Sequence, residues 1–191
     1  KNKSIKWFQA DFSSLEGIEK FIDILRSIEK IDICINNAGI NIIKPFSEVS
    51  KEEFSELMSV NLSAPINILK YILPLMKKNS YGRIVNIASI WSQITKSGRS
   101  LYSTSKTGLV GFTRSIAVEY APYNILANTV SPGFTLTELT KKSLSIDERL
   151  TLSSQVPIQR FAEPYEIAIF ILFLCSELNS YPPGQNIPID G

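Results

Sequence analysis

The feature that most constrains this chain is alternation: apolar runs of strand length take turns with longer segments of helical periodicity. Strands are expected at residues 5–9, 31–35, 83–88, 125–130 and 185–189. Helices are expected between them. The first opens at Ser14 and carries Leu15, Ile18, Phe21, Ile22 and Leu25 along one side. Ser50, followed three residues later by Glu53, forms a capping box for a helix over 51–60. A further helix covers 64–78, with Pro65 in its first turn and Pro74 inside, where the lost hydrogen bond predicts a bend near Tyr71 or an early end. Helical patterns at 102–120, 148–154 and 165–177 complete the series, with a polar stretch at 134–148. Nearly continuous, β-branched apolar strands separated by helices specify an α/β fold with a doubly wound parallel sheet covered on both faces. One domain spans 1–191.

In such sheets ligands bind off the carboxyl ends of the strands. The unusual residues of this chain fall there: Asp11 after the first strand, Asn36 to Gly39 after the second, Ser89 after the third, and Pro132 and Gly133 after the fourth. Composition narrows the chemistry. The chain has no histidine, which removes every histidine-based triad and every histidine-ligated metal site, so no metal is expected. Its net charge is +2 with both signs interspersed and no basic block, which disfavours nucleic acid as a partner. Cys34 and Cys175 lie far apart inside apolar runs and read as buried, reduced thiols. The most apolar run, 167–175, is half the roughly 20 residues a membrane span needs. The N-terminal residues lack a signal-peptide pattern, so the expected location is the cytoplasm.

Tyr102 and Lys106 stand four apart, on one face of a helix. A phenol near its ordinary pKa exchanges protons slowly at neutral pH, and a neighbouring ammonium favours the phenolate, so Lys106 is expected to tune Tyr102 for acid–base work. Ser89 ends a buried strand thirteen positions earlier, placed to hydrogen-bond the carbonyl oxygen that Tyr102 protonates. With no histidine to deprotonate it, a nucleophilic serine is disfavoured.

In order and spacing, Asn36-Asn37-Ala38-Gly39, Val60-Asn61, Ser89, Tyr102 with Lys106, Pro132-Gly133 and Thr137 resemble the signature of the short-chain dehydrogenase/reductase family, over about Asp11 to Gly191. The resemblance implies an NAD(P)-dependent oxidoreductase of Rossmann-like fold, interconverting an alcohol and a ketone or aldehyde. Its catalytic residues would be Ser89, Tyr102, Lys106 and Asn61. Asn61 would keep a helix distorted and help hold a water in a proton relay. Asp11, Asn37, Ala38, Gly39, Tyr102, Lys106, Pro132, Gly133, Thr135 and Thr137 would line NAD or NADP, with Asp11 at the adenine and Thr137 at the carboxamide.

The family's glycine-rich turn, T-G-x-x-x-G-x-G, is absent from these residues, so the resemblance also implies that about 50 residues of a first βαβ unit precede Lys1. The residue that chooses NAD over NADP falls in that unit, and the preference is unreadable here. In the family's strand order, 3-2-1-4-5-6-7, the absent pair lies between residues 5–9 and 31–35. The first strand is then expected to have no neighbour, residues 31–35 to form an exposed apolar edge, and the 191-residue piece alone to be inactive and to bind neither dinucleotide.

Ser89, Trp91 and Tyr102 would face the substrate, and Lys96 and Arg99 could attract an anionic one. The lid expected over 134–154 is rich in Thr, Ser and Lys, which leans toward a small polar substrate such as a sugar, polyol or hydroxy acid. The alternative is a 3-oxoacyl-[acyl-carrier-protein] reductase. Such enzymes tend to carry arginines for the carrier near the positions of Ser80 and Tyr123, and neither is basic here. A non-catalytic, cofactor-sensing or vestigial member is the reading from another class. Homodimers or homotetramers are expected through the helices at 64–78 and 102–120 and through the apolar C-terminal helix.

Overall fold

A computed structural model describes residues 5–191. In chain order these build helix α1 (Leu15–Leu25), strand β1 (Ile33–Asn36), helix α2 (Lys51–Met58), a π-helical turn (Ser59–Ser63), helix α3 (Ala64–Lys78), strand β2 (Gly82–Ile87), helix α4 (Ser100–Tyr120), strand β3 (Ile125–Pro132), helices α5 (Glu138–Ser143), α6 (Ile146–Ser153) and α7 (Pro164–Cys175), and strand β4 (Asn186–Ile189). The strands form one parallel sheet in the order β1-β2-β3-β4, with Cys34 beside Ile84 and Ile84 beside Ala127. Parallel neighbours need a crossover, and α3, α4 and α7 each lie in one.

Alternation along the strands divides the core. Cys34, Ile84, Ile125 and Ala127 face one side, where Leu69, Ile72 and Met76 of α3 and Ile116 of α4 bury them. Val85 and Val130 face the other side, against Ile167 and Leu174 of α7. Burying a side chain of this size contributes about 1.5–3 kcal/mol, so the first, larger cluster holds most of the sheet's stability. Helix α7 is apolar nearly all round. Ile169, Phe170, Leu172 and Phe173 point outward and are about half exposed or more. No helix among the described residues is long and apolar enough to cross a membrane.

Several expectations change here. Residues 5–9 form no strand; Ile5, Trp7 and Phe8 are exposed. A lone extended segment has no partner for its backbone groups, and apolar composition cannot replace one. The expected apolar edge is present: Ile33 and Ile35 of β1 are 45% and 46% exposed, on the same face of the sheet as Val85. Pro74 does not end α3 early, and the helix runs on to Lys78. Helices α2 and α3 are joined through the π turn instead of being separate, and the polar stretch over 134–148 holds α5.

Candidate active site

The carboxyl ends of β1, β2 and β3 meet the first turn of α4, and the candidate residues gather there. Ser89 follows β2 in extended conformation, is almost fully buried, and accepts a 3.3 Å hydrogen bond from the Trp91 backbone N–H. Tyr102 lies in the first turn of α4, and its phenol faces the Ser89 hydroxyl. Lys106, one turn further along, is 3% exposed; its Nζ donates to the Ile87 carbonyl at 2.7 Å and stands 5.7 Å from the centre of the Tyr102 ring.

The electrostatics differ from the expectation that Lys106 lowers the Tyr102 pKa. Burial raises the phenol above its usual value, while the Ser89 hydroxyl and the positive charge of Arg99 pull it partly back. Burial also pushes Lys106 down to about 8. The Lys106 ammonium gives one of its three N–H groups to the Ile87 carbonyl and lies over the Tyr102 ring instead of beside its hydroxyl. The cation that pulls on the phenol is Arg99.

Asn61 sits in the π turn with no exposed surface. Its Oδ1 accepts from the Ile40 N–H at 2.8 Å, and its Nδ2 donates to the Ile40 carbonyl at 2.9 Å and to Ser105 Oγ at 3.1 Å. Ser105 Oγ in turn donates to the Tyr102 carbonyl. One buried amide thus ties the segment after Gly39 to the helix carrying Tyr102 and Lys106. The helix distortion expected at Asn61 is present. Gly39 passes close by: a Cβ there would come within 3.3 Å of Lys106 Nζ and 3.4 Å of Asn61 Oδ1.

A second amide performs the same service beneath the site. Asn86, fully buried in β2, accepts from Asn36 Nδ2 at 2.7 Å and donates to Thr113 Oγ1 at 2.8 Å, joining β1, β2 and α4. Neither Asn86, Ser105 nor Thr113 was singled out in the sequence. The available signal was an asparagine inside an apolar strand, because a buried amide must find partners.

The remaining candidates are spread over two neighbourhoods. Asn37, Ala38 and Gly39 are exposed after β1, and the first two line an apolar cavity of about 340 Å³ beside that strand. Asp11 is exposed, and its carboxylate accepts from the Ser13 N–H at 2.9 Å, which holds it below the usual carboxylate range. Ser14 caps α1. Asn37, Ser89, Tyr102, Gly133, Thr135 and Thr137 line a second cavity of the same size between β2, β3 and α7. Pro132 ends β3 at its wall. The Thr137 hydroxyl caps α5, accepting from the Thr140 N–H. Gly133 has a packing reason to be glycine, since a Cβ there would lie 2.8 Å from the Asp190 Cα. Trp91 lies outside this cavity's wall and meets Phe134 edge-on at 6.4 Å, while Phe134 stacks on Phe161 at 5.0 Å.

The second cavity has the Thr135 and Thr137 residues and Gly133 on one side and Ser89 and Tyr102 on the other, a polar lining that would suit a nicotinamide riboside, and Lys106 is buried one turn beyond Tyr102. The chemistry available is proton donation to a carbonyl oxygen held between Ser89 and Tyr102.

Comparison with known proteins gives a consistent picture. The family model described as enoyl-(acyl carrier protein) reductase matches residues 1–191. A 3-oxoacyl-[acyl-carrier-protein] reductase of Aquifex aeolicus is 42% identical over 179 residues, covering 93% of this chain and 72% of that protein. An acetoacetyl-CoA reductase of Allochromatium vinosum is 34% identical over 185 residues, covering 96% and 75%. Among solved structures, a protein from Agrobacterium tumefaciens provisionally described as a gluconate dehydrogenase superposes with a TM-score of 0.88 at 30% identity, covering 95% of this chain and 72% of that one.

Proposed function

Since the chain belongs to the short-chain dehydrogenase/reductase family, we propose that it reduces the 3-oxo group of a 3-oxoacyl thioester with NADH or NADPH. The observation that carries this reading is the facing pair of Ser89 and Tyr102 hydroxyls at a cavity with Lys106 buried behind them. The bound dinucleotide supplies the hydride. Ser89 holds and polarises the substrate carbonyl oxygen, and Tyr102 gives that oxygen its proton. A phenol whose pKa burial raises stays protonated at neutral pH, which suits the reducing direction. Lys106 holds ribose hydroxyls, and Asn61 fixes the distance between the Gly39 segment and α4. Asn37, Ala38, Gly39, Pro132, Thr135 and Thr137 line the dinucleotide, with Asp11 toward its adenine end.

The lid composition leaned toward a sugar, polyol or hydroxy acid. The thioester reading is favoured over it by two relatives whose names both specify 3-oxoacyl thioesters. Ser80 and Tyr123 offer no positive charge to an acidic carrier, so a coenzyme A thioester is the better first substrate. The outward apolar residues of α7 support assembly of the protein through a second copy.

The test is reduction of acetoacetyl-CoA by the protein as its own cell makes it, with NADH and NADPH in turn, followed by loss of reduced nicotinamide absorbance. Tyr102→Phe should lower turnover by about 100- to 10,000-fold, the usual worth of a positioned acid, with cofactor affinity unchanged. Full activity in that variant would remove Tyr102 from the acid's role, and cofactor binding without any turnover in the unaltered protein would leave a cofactor-sensing role. Turnover of polyols but not of the thioester would restore the polar-substrate reading.

A further inference from the structure

Arg99, one helical turn before Tyr102, forms no ion pair among the described residues. Its guanidinium lies over the Trp91 ring, 5.1 Å from the centre, and its Nε is buried with no hydrogen bond. It stands at the N-terminal end of α4, where a positive charge runs against the helix dipole, so helix stability does not account for it. It is close enough to Tyr102 for each to feel the other's charge. Lys96 adds a second cation over the same ring, 5.6 Å from its centre. The Trp91 ring thus holds two cations beside the residues that grip the reacting carbonyl, while its edge meets Phe134.

A partly desolvated guanidinium with no carboxylate paired to it among the described residues matches a planar carboxylate. In a 3-oxo acid the carboxylate lies one methylene from the carbonyl, so a substrate gripped at C3 by Ser89 and Tyr102 can direct C1 toward a neighbouring side chain. We propose that Arg99, seated on Trp91, binds the C1 carboxylate of free 3-oxo acids, and that this site reduces those acids as well as thioesters. In the reaction the C3–O π bond breaks, a hydride from the reduced nicotinamide forms the new C3–H bond, and the Tyr102 proton forms the O–H bond. The products are the 3-hydroxy acid and the oxidised dinucleotide. Thioesters present only a neutral carbonyl at C1 and gain less from Arg99. This inference rests on the reductase reading above.

The experiment compares acetoacetate, its neutral methyl ester and acetoacetyl-CoA as substrates of the native protein and of Arg99→Gln. The loss of a charge-assisted hydrogen bond pair should lower kcat/KM for acetoacetate by about 10- to 100-fold, mostly through KM, with the methyl ester changed less than about threefold. Arg99→Lys should recover part of the loss. Reduction of acetoacetyl-CoA without acetoacetate, or an equal loss on acid and ester, overturns the role of Arg99 and leaves the thioester reading intact. Failure of all three substrates overturns both. Should Arg99→Gln not fold, the unaltered protein decides by inhibition: butyrate is expected to compete with acetoacetate far better than butyramide does. Equal inhibition by the two overturns the proposal.

Discussion

Replacing Lys106 with Met removes a buried charge, and the structure sets both the sign and the size of the result. Burial lowers the Lys106 pKa from 10.5 to about 8, so the folded protein gives up this proton before the unfolded chain does. Below pH 8 both states hold the proton, and the fold bears the full cost of burying it. Between pH 8 and 10.5 the unfolded chain binds more protons, so wild-type stability gains as pH rises and the handicap fades. A shift of about 2.5 units corresponds to about 3 kcal/mol at neutral pH. Roughly 2 kcal/mol of that is recovered by pH 10. The Met variant also leaves the Ile87 carbonyl without its 2.7 Å bond, which costs about 1–3 kcal/mol at every pH. That cost cancels when the difference between the two proteins is compared across pH. Urea unfolding of native protein and Lys106→Met at pH 7 and pH 10 should therefore show the variant losing about 2 kcal/mol of relative stability between them. A difference that stays constant with pH, or moves the other way, refutes the claim that burial governs this ammonium.

Two further outcomes follow from the packing around the site. Asn61→Ala strands the Ile40 N–H and carbonyl in a buried place and removes the bond Ser105 Oγ accepts, and should cost about 2–4 kcal/mol in denaturant unfolding, with Asn61→Asp unable to restore the bond to the Ile40 carbonyl. Gly133→Ala drives a Cβ to 2.8 Å from the Asp190 backbone, so β4 must shift; about 1–3 kcal/mol of stability should be lost, measurable by thermal unfolding, whereas Gly111→Ala, inside α4 with nothing within 4 Å, should gain about 0.5–1 kcal/mol from helix propensity.

The strands from β1 onward and most helices were legible because apolar period and capping chemistry act locally. Ser50 and Glu53 close the capping box that their spacing predicts, and Ser14 caps α1. Residues 5–9 misled because strand propensity measures fitness for a sheet surface, and whether a neighbouring strand exists is a tertiary fact. The site was legible as a set: Ser89, Tyr102, Lys106, Asn61 and Gly39 do converge. Their energetics were not. Spacing places Lys106 beside Tyr102, but burial decides which charge the phenol feels, and burial is settled by how α4 lies on β2 and β3. The same limit bears on Arg99, which the sequence offers only as a charge able to attract an anionic substrate until its position over Trp91 is known.

The way the site is held follows from where polar groups could be afforded. Apolar packing is tolerant, since a core of the right volume accepts small shifts, whereas a buried amide loses its bonds when a partner moves by an ångström. Asn61 and Asn86 sit at the two levels where α4 meets the sheet edge: one above, joining the Gly39 segment to Tyr102 through Ser105, and one below, joining Asn36 to Thr113. Rotating α4 by a fraction of a turn would break both sets of bonds at once while leaving Ile116 against the sheet. The orientation of Tyr102 and Lys106 is therefore fixed by the two asparagines, and the large apolar cluster fixes only that the helix is there.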